Sequence, residues 1–335
     1  MSACAAYRFG AIAGSSASTD RIRPHRYLAR KFAALSVACA TLFAHAASGA
    51  EQETPFRFGF AGSMFTDLAE ADARAAIRVW SKIIGDERDI PVDPDAAFIH
   101  GVDNLVEALQ EHSVDAAVMS APDFALVRQR HPIGRTFFGL TRRGWEVEYL
   151  LLVHRESGFH TMADLAGKKI NVFSNPRMSL AGAWLDLLLH EQGHGASGRH
   201  FASQTSRNKL SAVVLPVFFR NVDACLVTRD GFELMSELNP QVGLSLRTIA
   251  VSEVFCPFLI AFRDDYDSPH EEGVYHALEH IHETPAGQQI LNVFQFERLE
   301  PGPVSRLDSA LALLRRRAAL ESTSGLAHAL APPNP

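Results

Sequence analysis

Residues Asp164 to Gly193 read DLAGKKINVFSNPRMSLAGAWLDLLLHEQG, and the fold turns on this stretch. Lys169 to Phe173 predicts a buried strand, because β-branched and apolar residues follow a charged start. Ser174, Asn175 and Pro176 predict a tight turn. A long helix is expected next, with Asn175 as its cap and Pro176 at its first position, where no intrahelical amide is needed. Leu180, Trp184, Leu187 and Leu188 recur at helical spacing and form an apolar stripe. Gly193 is the natural stop. A strand that delivers a helix N-terminus to the end of a sheet presents unpaired amides and the positive end of the helix dipole, which suits an anion.

The far end of the same helix carries a competing pattern. His190, Glu191, Gln192, Gly193 and His194 fit H-E-x-x-H, and His200 lies six residues beyond His194. Two imidazoles one helical turn apart bind zinc, and the Glu beside them activates the bound water. That alternative is a secreted zinc-dependent hydrolase with His190, His194 and His200 as ligands. It needs the helix intact from His190 to His194, whereas Gly193 and Gly195 interrupt it there. Ser197 also stands where the longer three-histidine pattern has Gly. The preferred reading of this end is a solvated helix terminus, with no metal and no cofactor.

The chain has 335 residues, 47% hydrophobic and 21% charged, enough for one large domain or two medium ones. A net charge of -6 without a long basic run argues against nucleic acid as a partner. No Gly-rich nucleotide loop follows a strand, and no G-x-S-x-G nucleophile elbow occurs. Residues 1–50 read as a signal peptide, with five basic residues between Arg21 and Lys31, an apolar run from Phe32 to Ala44, and cleavage near 46 or 50. The mature chain is therefore expected in the periplasm. Its loss of six basic residues and one acid takes the net charge from -6 to -11. Cys225 and Cys256 remain in apolar runs, where a disulfide and two buried thiols are both open.

Along the mature chain, strand and helix patterns alternate. Strands are expected at Phe56 to Phe60, Ala96 to Ile99, Asp115 to Met119, Glu148 to Val153, Val222 to Val227, Leu246 to Val251 and Phe255 to Phe262. Helices are expected up to about Ile84, at Val102 to Glu111, after Ser120, at Leu210 to Phe219 with a break at Pro216, at Phe232 to Leu238, Val274 to His282, Ala286 to Phe294 and Leu307 to Leu320. Such alternation means a mostly parallel sheet flanked by helices. Two extended runs, near Arg142 to Glu148 and Ser252 to Pro257, are candidate crossovers between lobes. They divide the chain into a first lobe of residues 51–145 plus 255–320, a second lobe of residues 146–254, and a flexible tail at 321–335. A small ligand fits the cleft between two such lobes.

The ordered set FRFGF at Phe56, VDAAVMSAPDF at Val114, SGFHTMADLAGKKINVFSNP at Ser157, ELNPQVG at Glu237 and ETPAGQQILNVF at Glu283 resembles the phosphate, phosphite and phosphonate binding proteins of ABC importers. The resemblance spans nearly all of the mature chain. It implies an α/β, two-lobed periplasmic-binding-protein fold of type 2 with a two-strand hinge. It further implies a non-enzymatic receptor, monomeric, that closes on a small anionic solute and presents it to an ABC permease in the inner membrane. A ligand-sensing partner of a membrane signalling protein has the same fold and stays open as an alternative. Carried over by position, the ligand loops are Ala61 to Met64, Ser120 to Asp123, Ser174 to Ser179 and Thr228 to Asp230. The expected contacts are Gly62, Ser63, Ser120, Asn175, the amides of Arg177 and Met178, the Arg177 guanidinium, Ser179 and Thr228. Where the family places a run of Ser, Thr and Gly, this chain has Pro176, Arg177, Met178, Ser179 and Leu180. Only Ser179 keeps the hydroxyl, while Arg177 adds a charge suited to bidentate contact with an oxyanion.

Overall fold

A computed structural model describes residues 54–65, 70–141, 144–293 and 296–329. The expected signal peptide and its cleavage sites lie outside the described residues, as do Arg142 and the last six residues of the tail. In chain order the elements are β1 (Phe58–Ala61), α1 (Glu70–Arg88), β2 (Ala97–Ile99), α2 (Val102–Gln110), β3 (Ala116–Ser120), α3 (Ala121–Val127), β4 (Ile133–Leu140) and β5 (Tyr149–His154). Then follow β6 (Lys169–Phe173), α4 (Ala181–Glu191), α5 (Ser197–His200), β7 (Ser203–Arg207), α6 (Leu210–Phe218), β8 (Ala224–Thr228), α7 (Arg229–Leu238), α8 (Pro240–Ser245) and β9 (Leu246–Val251). The chain closes with β10 (Phe258–Arg263), α9 (Glu271–Glu279), α10 (Pro285–Val293), β11 (Arg298–Pro301) and α11 (Asp308–Ala329).

These strands form two sheets, ordered β11-β4-β10-β3-β1-β2 and β7-β6-β8-β5-β9. In the first, β1 runs parallel to β2 and β3, while β10 is antiparallel to β3 and β4. In the second, β6 runs parallel to β7 and β8, while β5 is antiparallel to β8 and β9. Both sheets are thus mixed: β10 and β11 run against the other strands of the first and β5 against those of the second, and β5 and β10 are the strands that follow the two crossovers. Strands β1, β3, β5, β8 and β10 are buried along their whole length, which is why they read as continuous apolar runs rather than alternating ones. No helix among the described residues is long and apolar enough to cross a membrane.

The chain passes between the sheets twice, through residues 141–148 and 252–257. These two segments meet as a short ladder, in which Val147 and Phe255 exchange backbone hydrogen bonds of 2.8 Å in both directions. Ser252 braces it, accepting the Tyr149 amide on Oγ at 2.8 Å and donating its own amide to the Tyr149 carbonyl. The Phe255 and Trp184 rings pack on the buried Tyr149 ring. Helix α11 lies against α3 and α4 together, with Arg317 pairing to Asp186 at 3.5 Å and Arg316 to Glu191 and Glu253.

Three expectations need correction. Pro216 does not break α6, which continues to Phe218. The carbonyl that Pro216 leaves without a helical donor is Ala212, and the buried Asn171 side chain points its Nδ2 at both Ala212 and Val213, 3.5 Å from each. The last helix extends past Leu320 to Ala329, and the first proline comes only at Pro332. The stretch after Ser174 is not one long helix: Pro176–Met178 form a separate 3-10 turn, Leu180 turns the chain, and α4 begins at Ala181. Cys225 and Cys256 are free and buried, and burial pushes the Cys256 thiol up to about 12.

Candidate functional site

In each sheet, two adjacent parallel strands end side by side and each delivers a loop. The carboxyl ends of β1 and β3 carry 61–64 and 120–123, and those of β6 and β8 carry 174–179 and 228–230. Such ends are where α/β sheets bind ligands.

On the first sheet, Ser120 caps α3 by accepting the Asp123 amide on Oγ at 3.2 Å, and its hydroxyl donates to Asp123 Oδ2 at 2.7 Å. Ser63 donates to the same carboxylate oxygen. The two predicted hydroxyls are therefore brought together, but on a carboxylate that sequence reading did not single out. The signal was present in SAPD, a serine cap with an acid three residues on. Gly62 has a packing reason of its own: a Cβ there would lie 2.5 Å from His100 Nδ1.

On the second sheet, Asn175 caps the 3-10 turn as the sequence predicts. Its Oδ1 accepts the Met178 amide at 3.1 Å, and its carbonyl accepts the same amide at 2.9 Å. The Met178 amide thus has both Asn175 oxygens as acceptors, and the Met178 side chain is buried. The Arg177 guanidinium, 12% exposed, reaches Asp230 Oδ2 at 3.0 Å. Its carbonyl accepts the Tyr149 hydroxyl at 2.8 Å, so the backbone behind the guanidinium is pinned to the buried start of β5. Thr228 is buried and caps α7, its Oγ1 accepting the Gly231 amide at 3.2 Å. Arg229 turns away to Glu148 and Glu233. Asp230, like Asp123, is a carboxylate absent from the predicted contacts.

The loops of the two sheets meet at one atom. The Pro257 carbonyl, in the second crossover, accepts the Ala121 amide at 2.8 Å and the Ser179 hydroxyl at 3.0 Å. Ser179 is therefore a strut, its only hydroxyl proton committed, and not a free donor.

The histidines do not stand as the zinc-hydrolase helix pattern requires. Helix α4 ends at Glu191, and Gly193 adopts φ +78° with its amide on the His190 carbonyl at 2.9 Å, while the His194 amide returns to Leu189 at 2.8 Å. That pair of bonds is a Schellman ending, which puts His194 beyond the helix. His200 Nε2 donates to the Met162 carbonyl at 2.8 Å, so this nitrogen carries the proton and has no lone pair for a metal. Glu191, which would activate water, pairs with Arg316. Among the described residues, no group of three or more His, Cys, Asp or Glu is arranged to hold a metal ion.

Residues 65–305 match the family described as ABC transporter, phosphonate, periplasmic substrate-binding protein. No curated protein matches the chain. Among solved structures, a binding-protein component of an ABC phosphonate transporter from Pseudomonas aeruginosa is 12% identical at a TM-score of 0.53, covering 80% of this chain and 89% of that one. A Xanthomonas citri protein bound to chloride ion is 14% identical at a TM-score of 0.54, covering 81% and 98%. A Prochlorococcus marinus protein in complex with methylphosphonate is 13% identical at a TM-score of 0.51, covering 78% and 97%. At these identities the structural likeness speaks for the fold.

Proposed function

Because the chain belongs to the family of periplasmic substrate-binding proteins of phosphonate ABC transporters, we propose that it captures a small oxyanion of the phosphonate, phosphate or phosphite kind between its lobes and hands it to an ABC permease in the inner membrane. In this reading the lobes are residues 51–145 with 255–320, and residues 146–254, turning on the Val147 and Phe255 ladder. The chain is exported through a cleaved signal peptide and works as a monomer. The observation that carries the reading is the half-buried Arg177, held by Asp230 and by Tyr149 beside the loop that reaches the first lobe at Pro257. A fork of guanidinium donors suits an oxyanion, and contact with both lobes at once favours the closed state.

The test is a thermal-shift panel on the mature protein, residues 51–335, with phosphate, phosphite, methylphosphonate, methanesulfonate and carboxylates. A ligand at 100 times its Kd adds about 2.7 kcal/mol, which moves the melting midpoint visibly. A shift with one oxyanion class supports the receptor reading and names the class. The absence of a shift with every oxyanion removes it.

A further inference from the structure

Helix α11 follows the last strand of the first sheet, yet it spends its charge on the second. It packs against α3 beside the first sheet and α4 beside the second. Arg317 meets Asp186 within α4 at 3.5 Å, and Arg316 meets Glu191, the last residue of α4. Arg316 also lies 3.6 Å from Glu253 in the second crossover, where Ser309 of α11 donates to the Val254 carbonyl at 2.8 Å. One helix is therefore fastened to elements of both sheets and to a segment that joins them. Helix α4 makes a lever of these pairs. Just before it, Ser179 touches the second crossover at Pro257, and the run from Ala181 to Glu191 places the far end about 15 Å away. A lobe rotation of about 15° carries a point at that radius through about 4 Å, which is as far as an ion pair reaches at all.

Resting on the receptor reading above, we infer that Arg316 and Arg317 are positioning residues for ligand capture: they strap α4 to α11 in the orientation seen here, and the lobes close on a ligand only by giving up these pairs. In this orientation Ser63 and Ser120 bond to Asp123, and Arg177 to Asp230, each within the loops of one sheet, while the α11 pairs run from one lobe to the other. The strap thus opposes the contacts that a shared ligand makes. A receptor whose closed form is held to a fraction of the molecules binds with its intrinsic affinity scaled by that fraction, so loosening the strap tightens binding. Arg316 and Glu191 are each 48% exposed and Arg317 is 41% exposed, so the pairs are weak ones and the effect is a few-fold.

Calorimetry with methylphosphonate on the mature protein compares the unsubstituted chain with the double variant Arg316→Ala, Arg317→Ala. The double variant is expected to bind about threefold to tenfold tighter. That ratio is expected to fall towards one in about 1 M NaCl, where the Debye length is about 3 Å. Glu191→Gln, which loosens the strap from the other side, is expected to tighten binding as well. The double variant Arg316→Lys, Arg317→Lys keeps both charges and is expected to stay within about twofold of the unsubstituted protein, as is Arg315→Ala, which removes a charge from the exposed neighbour. Without ligand, small-angle scattering is expected to give the alanine double variant a smaller radius of gyration, nearer that of the unsubstituted protein saturated with methylphosphonate. A role confined to holding α11 down would lower the melting midpoint and leave affinity and radius where they were. Unchanged or weaker binding in the folded double variant, or a gain that salt does not reduce, overturns the inference while the receptor reading stands. If no oxyanion binds in the thermal panel, the receptor reading falls, and the ligand-free radius then decides: a smaller one in the double variant supports the strap, and an equal or larger one overturns it.

Discussion

Ser179 donates its hydroxyl to the Pro257 carbonyl at 3.0 Å, tying the loop before α4 to the crossover between the sheets. The same oxygen takes the Ala121 amide from α3, so one carbonyl holds elements of both sheets. Ser179→Ala is expected to lower stability by about 1 kcal/mol, the usual worth of one such bond. Its effect on methylphosphonate affinity should stay within about threefold, comparing urea unfolding with calorimetry. A tenfold loss of affinity at unchanged stability would restore Ser179 to the ligand contacts.

Arg177 carries a sharper expectation. Arg177→Ala should weaken oxyanion binding at least about tenfold, since a charged hydrogen-bonding group is lost from a half-buried position. Arg177→Lys should recover little of it, because an ammonium keeps the charge but not the planar fork that also meets Asp230. The measurement is calorimetry with the ligand that the thermal panel identifies. Full affinity in the Lys variant would mean that the charge alone is read.

Where local pattern decided structure, the sequence was legible. Lys169–Phe173, Leu246–Val251 and the Asn175 cap stand as predicted, because each is written in adjacent residues. Strand β4 was missed because Gly134 and Gly139 dilute its apolar run. Gly139 is there to let the Phe296 ring lie against the backbone, a reason that sits 157 residues away in the chain. Strand β7, SQTSR, is an edge strand with no apolar residue to betray it. The site divided in the same way. Arg177 and the cap positions follow from the strand, turn and helix pattern. The pairing of Ser63 with Asp123, of Arg177 with Asp230 and of Ser179 with Pro257 joins residues 53 to 78 positions apart, and no spacing rule announces it.

His154, at the end of β5, sets a pH dependence. Burial holds its imidazole below the usual histidine range, with Arg220 adding to the effect, and its Nδ1 must stay unprotonated to accept the Glu156 amide at 3.1 Å. The unfolded chain therefore takes up this proton first, at about pH 6.5, and stability contributed by the neutral form is lost as pH falls below that value. His154→Gln, which keeps an acceptor without the titration, should flatten the urea midpoint between about pH 6.5 and 5 relative to the unsubstituted protein. An identical slope in both would assign the acid sensitivity elsewhere.

Asp115 offers the clearest separation of fold from function. It lies just before β3, at the end of the strand opposite Ser120, and is 3% exposed. It accepts the Arg57 amide at 2.9 Å and the Arg57 guanidinium at 3.1 Å, with Arg263 at 3.3 Å on the same side. Arg263 is itself buried, and its second partner, Asp265 at 2.7 Å, is largely exposed. Removing the central carboxylate leaves a buried guanidinium whose remaining carboxylate partner is at the surface, so Asp115→Ala should cost about 3 to 5 kcal/mol by urea unfolding. Because the network braces the amino ends of β1 and β3, and the ligand loops leave from their carboxyl ends, the folded fraction of Asp115→Ala should bind methylphosphonate with affinity within about threefold of the unsubstituted protein. A loss below about 1 kcal/mol would mean that water replaces the carboxylate at little cost. A large loss of affinity in protein that is still folded would mean that the two ends of these strands are coupled.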